Sequence, residues 1–286
     1  MKELISLEDF LSMDIEEAVK YDFKKEIFKL RGLDYDQYQE IERMLIYKGN
    51  IFMKESDCDR ITLTLDIYNA LWGDEIGNYF SGGVPEKFIP SNGETMNSFT
   101  RINKIYTDMI MKDKKYHFEC DELNEFAILT HTLGNFIPVY SDYEKNSSPF
   151  NAYRNFNTHD YWDLTIMDIK DYIVNEKENS RYIKNSTNWF DNYRNSDFDK
   201  GFNTFCDKHF LDDWKLEEEQ TNEEWNKKNL FWKNHDLNRQ TISHFGNKDG
   251  EELFKVMLRK INHSIVSRGR LMFKKLKRVS EANYTD

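Results

Sequence analysis

The stretch from Asp121 to Tyr140, D-E-L-N-E-F-A-I-L-T-H-T-L-G-N-F-I-P-V-Y, decides how the chain is read. Leu123, Phe126, Ala127, Thr130 and Leu133 recur at the i, i+3, i+4 spacing that lays one face of a helix on a core. The spacing predicts a helix that stops at Gly134, with the glycine supplying a left-handed cap. Phe136, Ile137 and Val139 then continue as a short, buried, extended segment. The expected class is α+β: helix-dominated, with a small central sheet and a long C-terminal amphipathic helix.

Upstream, residues 60–68 contain I-T-L-T-L-D-I-Y, an apolar/polar alternation rich in β-branched residues that predicts a second strand. The following residues 69–94 are the most glycine-rich and proline-rich part of the chain and read as a long irregular connection. It leads into a helix capped near Thr95 or Asn97, with Phe99, Ile102 and Met109 on its apolar stripe. Nearer the N-terminus, Ser6 and Asp9 are placed as a capping box for an amphipathic helix, and a further helix is expected from Tyr35 to Lys48.

Downstream, a polar loop precedes H-D-Y-W-D-L-T-I-M-D-I-K-D-Y-I, which starts a helix near Asp160. Phe198, Phe202, Phe205 and His209 suit another helix, as do Trp225, Lys228 and Trp232. In the last element, Glu251 to Arg278, residues Phe254, Met257, Leu258, Ile261, Ile265, Met272 and Leu276 share a side that Gly269 interrupts. We divide the chain into a main α+β body, residues 1–184, and an aromatic-rich helical region, residues 185–286, ending in a basic helix.

Twelve glycines and four prolines over 286 residues are too few for an all-β sandwich with many tight turns. Cys58, Cys120 and Cys206 are isolated and odd in number, which suits neither a disulfide framework nor a zinc ribbon and predicts a reducing, cytoplasmic setting. Acids interrupt the N-terminal segment where a signal peptide needs an apolar run, and nowhere do eighteen apolar residues follow one another, so neither export by that route nor membrane association is expected. The net charge is -11, yet residues 259–278 hold eight Lys or Arg and no acid. An acidic body repels nucleic acid, so direct nucleic-acid binding is not expected, while the basic stripe suits local contact with phosphate or an acidic protein surface. A solvated helix face is the plainer explanation of such a charge run.

No catalytic motif stands out. His131 beside the Gly134 turn, Asn135, Glu94 and Asp163 are the candidate catalytic residues, each with a structural alternative in helix capping. Asp160, Asp163 and Asp168 with Glu94 could supply oxygen donors to a cation, but acids at a helix start are what any helix prefers, and no metal or cofactor is expected. Cys206 and His209 lie at i, i+3 without a second pair at ligand spacing, so core packing is the expectation for them. Asn151 and Arg154 in the polar loop, Tyr161 and Trp162 at the helix start, and Arg268 and Arg270 on the basic helix are the candidate binding residues.

The segment L-G-N-F-I-P-V followed by F-N-A-Y-R resembles part of the HNH-type nucleases of modification-dependent restriction enzymes, but the upstream histidine that activates water in those enzymes has no counterpart before His131. That resemblance implies, as the alternative function, a nuclease-like enzyme with a site around His131 and Asn135. The blocks G-E-T-M-N-S-F (93–99), T-H-T-L-G-N-F-I-P-V (130–139), F-N-A-Y-R (150–154), D-Y-W-D-L-T (160–165) and S-R-G-R-L-M (267–272) resemble a family of uncharacterised bacterial and phage proteins. In size and in acidic, aromatic-rich character the chain also resembles the phage-encoded inhibitors of the Gabija defence complex. This resemblance implies a homo-oligomer that binds an endonuclease and helicase assembly in the host cytoplasm. The leading expectation is therefore a non-catalytic protein-binding protein, an inhibitor of an anti-phage nuclease defence complex.

Overall fold

In a computed structural model of the chain, the residues described are 5–24, 62–76, 88–89, 120–140, 150, 162–178, 180–194, 198–215 and 247–283. Helices α1 (Leu7–Ser12) and α2 (Ile15–Ala18) open the fold, and the expected capping box is present: Ser6 Oγ accepts from the Asp9 amide while the Asp9 carboxylate accepts from the Ser6 amide. Asp14 caps α2 through the Glu16 amide. Helix α3 (Thr62–Ile76) follows.

Helix α3 corrects two expectations. Residues 62–68 are helical rather than a strand, and residues 69–76 belong to the same helix rather than to an irregular connection. Alternation places Leu63 and Ile67 two strand periods apart, but the same two residues are i, i+4 neighbours on a helix. Tyr68 and Trp72 extend that face, and all four are buried. The deciding aromatic residues lie at and beyond the end of the alternating run, so the run by itself is ambiguous.

The opening stretch forms α4 (Asp121–Leu129), a turn, one turn of 3-10 helix over Leu133–Asn135, and extended chain. The expected face is buried at Leu123, Phe126, Thr130 and Leu133. Strand β1 (Phe88–Ile89) pairs antiparallel with β2 (Val139–Tyr140), Phe88 opposite Tyr140 and Ile89 opposite Val139. A two-residue ladder is not a layer on which helices can pack. The expected small central sheet is therefore corrected: among the described residues the fold is helical, and its centre is a helix.

Helices α5 (Trp162–Asn175), α6 (Arg181–Lys184), α7 (Thr187–Phe190) and α8 (Phe198–His209) form an aromatic-rich group. Single 3-10 turns, Asp191–Tyr193 and Asp212–Trp214, follow α7 and α8. The central element is α9 (Asn247–Asn283), 37 residues and, at 1.5 Å per residue, about 55 Å long. The expected stripe of Phe254, Met257, Leu258, Ile261, Ile265, Met272 and Leu276 is buried throughout. Helix α9 packs on α4, on the 3-10 turn after it, on α3, and on α1 and α2. One hydrophobic core therefore joins described residues from both halves of the chain.

Gly269 continues α9 without ending it. Its partner is Gly134, whose backbone is not left-handed, so the expected capping role is corrected. A Cβ on Gly134 would lie 1.8 Å from the Ile265 carbonyl oxygen and 2.9 Å from the Gly269 amide nitrogen. Gly134 is required because two backbones touch there, not because of its dihedral freedom. Left-handed closures occur instead at Glu176 and Phe210, with φ of 56° and 58°, just after α5 and α8.

Candidate functional site

The polar residues of greatest interest lie where α3, α8 and α9 converge. On the helical face that carries Tyr68 and Trp72, the next position inward is Glu75, i+7 from Tyr68, with a side chain only 6% exposed. Its Oε1 accepts hydrogen bonds from Trp189 Nε1 at 2.7 Å and from the Tyr193 hydroxyl at 2.7 Å. His209 Nε2 stands 3.4 Å from the same oxygen, and Lys208 Nζ stands 3.6 Å from Oε2.

His209 ends α8 and is fully buried. Its ring stacks on Trp72 at 6.0 Å, and Phe205, Trp189 and Tyr193 enclose it. The Trp72 indole nitrogen donates to the Lys208 carbonyl at 2.9 Å, which fixes the end of α8 against α3. Burial pushes the Glu75 carboxyl up, but the His209 charge and the hydrogen bonds from His209, Tyr193 and Trp189 outweigh it and hold the pKa at about 2. Burial and the Glu75 charge push the Tyr193 hydroxyl far above its ordinary value. Carboxylate, imidazole and phenol together are an acid/base set in composition. Here aromatic rings close around them, and the arrangement acts as a buried polar tie between α3, α8 and the turn after α7.

A second group is built on Arg268, 1% exposed. Its Nε donates to the His209 carbonyl at 3.0 Å, and Nη1 donates to the carbonyls of Gly134 and Phe136 at 2.9 and 2.6 Å. A guanidinium out of water needs acceptors along its fork; three backbone carbonyls at segment ends meet Nε and Nη1, while Nη2 has no partner among the described residues. Burial pushes its pKa down to about 9, so it stays charged at neutral pH. Arg268 thus links the α8 terminus that carries His209 to the turn that carries Gly134.

The candidates named from sequence are brought together only in part. Asn135 is fully buried, and its side-chain amide donates to the Thr130 carbonyl at 2.8 Å. Thr130 and Thr132 hydroxyls donate to the Phe126 and Leu129 carbonyls in the same way, closing the end of α4. His131 is half-buried beside this turn; desolvation first, and then the Lys24 charge, hold its pKa well below the ordinary histidine value. Its backbone carbonyl accepts from the Phe23 amide.

Trp162 is buried against Phe150 and is a core residue. Arg270 forks onto the Glu16 carboxylate at 2.8 and 2.7 Å near the surface. Asp163 lies in the first turn of α5, and Asp168 accepts from the Tyr182 hydroxyl at 2.6 Å. Glu94, Asn151, Arg154, Tyr161, Asp160 and Cys58 lie outside the described residues. Among the described residues no group of three or more His, Cys, Asp or Glu could hold a metal ion.

Glu75 is not among the candidates the sequence offers, because residues 69–94 read as a loop by their glycine and proline content. The signal available was Tyr68, Trp72 and Glu75 at i, i+4 and i+7, once that stretch is read as helix. No helix among the described residues is long and apolar enough to cross a membrane. No protein-family model, no curated protein and no solved structure matches the chain.

Proposed function

We propose that the chain acts by binding another protein rather than by catalysis, and that the partner is a nuclease and helicase complex of bacterial anti-phage defence. The observation that carries the first part is the use of Arg268. The most chemically capable side chain of the candidate set donates to three backbone carbonyls of its own fold and is 1% exposed. Asn135 and the Glu75–His209 pair are turned inward in the same way. The choice of partner rests on the resemblance in size and acidic, aromatic-rich character to the phage-encoded Gabija inhibitors. An acidic body also complements the basic, DNA-facing surface of a nuclease.

The aromatic residues do not add to this reading where they are described. Trp72, Trp162, Trp189 and Trp214 are all buried in the core, so they are not interface anchors. Co-expression with candidate nuclease and helicase complexes, followed by size-exclusion chromatography, tests the proposal. Co-elution with loss of the complex's DNA cleavage is expected. Consistent separate elution defeats it, and metal-dependent cleavage of DNA or RNA by the purified chain would put the nuclease reading in its place.

A further inference from the structure

We propose that the exposed stripe of α9 is a docking face for an acidic amphipathic helix of a partner protein, laid along it. Val256, Lys260, His263, Ser267, Leu271, Lys274 and Arg278 follow one another at helical i+3 and i+4 steps and share one side of α9, a stripe about 33 Å long. All are exposed except Ser267, which is half-buried, and exposed Lys275 borders them. The buried apolar stripe lies on the opposite side. Val256 is 42% and Leu271 46% exposed; with Ile128 of α4 they are the large apolar side chains left in the open among the described residues.

A solvated helix surface accounts for scattered charges of both signs, and the first turns of α9 have one: Glu251 pairs with Lys255, and Glu252 with Arg259. From Arg259 to Arg278 the helix carries no acid, and Glu252 and Glu281 bound this cationic stretch at its two ends. Arg259 and Arg270 are taken up by Glu122 and Glu16. Lys274, Lys275 and Arg278 form no ion pair among the described residues. Lys274 and Arg278, one turn apart, repel each other, and a carboxylate laid between them relieves this. The two apolar side chains are a separate signal, because they gain free energy only when something covers them.

The occupant has to be acidic, apolar at two points about 22 Å apart, and narrow. Its width is limited by the α1–α2 flank, where Glu8, Asp9, Asp14, Glu16 and Glu17 are exposed beside one exposed cation, Lys20. That flank packs on α9, and Glu16 reaches Arg270 at the edge of the stripe. A nucleic-acid duplex or an anionic membrane is broad enough to meet the flank and be repelled by it. A helix, about 10 Å across, fits on the stripe alone. It can offer carboxylates to Lys260, Lys274, Lys275 and Arg278 while its apolar residues pack on Val256 and Leu271. A second copy of α9 would set cation against cation.

This docking face presupposes that the chain binds protein, whichever complex that is. The probe is a labelled helical peptide of about 23 residues, with two leucines at the Val256–Leu271 spacing and glutamates along the same face. Fluorescence anisotropy with the full chain at low salt should show it binding at least about tenfold tighter than its glutamine and lysine counterparts. K274E/K275E should weaken it at least about tenfold, and a peptide with lysines at the facing positions should recover the loss. V256A/L271A should weaken it severalfold with the charges unchanged, and circular dichroism reads whether each variant is folded. No saturable binding of the glutamate peptide overturns the proposal, as does binding indifferent to either pair of substitutions in folded protein. Equal or tighter binding of a DNA duplex or of phosphatidylserine vesicles, lost in K274E/K275E, also overturns it, by showing a general polyanion surface. Co-elution with a nuclease complex despite such a result would leave protein binding standing at another surface.

Discussion

Gly134 and Gly269 touch through their backbones: a Cβ built on Gly269 would lie 3.4 Å from the Gly134 amide nitrogen, whereas one built on Gly134 would drive into the Ile265 carbonyl at 1.8 Å. The asymmetry gives opposite expectations for the two alanine variants. G134A forces α9 away from the turn after α4 and should cost several kcal/mol, about as much as overpacking a rigid core. G269A meets only ordinary contact distances and gains roughly 1 kcal/mol of helix propensity, so its stability should match or slightly exceed that of the wild type. Urea unfolding of both variants checks this, and equal losses would contradict the backbone-contact reading.

Arg268 can be tested by what it leaves behind. R268M keeps much of the volume but strands the carbonyls of His209, Gly134 and Phe136 in the core. A loss of about 3–5 kcal/mol is expected. R268K should recover little, because an ammonium cannot present the planar fork that reaches all three carbonyls. If R268M unfolds at the wild-type denaturant midpoint, the guanidinium is not the tie between α8 and the Gly134 turn.

Glu75 predicts a definite pH dependence. Its folded pKa, about 2, lies below the ordinary 4.5. The group therefore stabilises the fold fully above the unfolded value, and that contribution fades as pH falls from about 4.5 toward 2. The shift corresponds to roughly 3 kcal/mol. E75Q should remove a comparable amount at neutral pH and flatten the stability profile between pH 2 and 5. Guanidinium unfolding at pH 3 and pH 6 compares the two proteins; an unchanged slope in E75Q would place the acid sensitivity elsewhere.

The buried thiols should be chemically quiet. Burial pushes the Cys206 pKa up to about 12 and the Cys120 pKa up to about 11. Both are enclosed by core residues, and the thiolate is the reactive form. Labelling with a chromogenic disulfide near pH 8 should reach Cys120 and Cys206 only as fast as the fold opens, and rapidly in denaturant. Mass mapping of the labelled sites identifies which thiols reacted, and prompt native labelling of either would show an access route absent from this packing.

Much of the helical layout was legible locally. The Ser6 and Asp9 capping box, the α4 face through Leu123 and Phe126, and the α9 stripe from Phe254 to Leu276 are repeated short-range patterns, each written within one element. The class was not legible in full. Residues 60–68 satisfy strand and helix periodicities together, and only the burial of Tyr68 and of Trp72, the latter packed on His209 and Phe210 at the end of α8, selects helix. Local propensity is weak beside the burial of two large aromatic side chains.

The stretch from Asp121 to Tyr140 shows the same division. Its sequence determined an amphipathic helix followed by a turn at a glycine, because spacing and small size are properties of adjacent residues. It did not determine why the glycine is there. That is decided by α9 passing within backbone contact of Gly134, and by Arg268 reaching from α9 to the Gly134 and Phe136 carbonyls. The same holds for Glu75 and His209, whose meeting depends on how α3 and α8 dock. Close approach and buried polar contacts join residues distant in the chain, so only the tertiary structure could assign them.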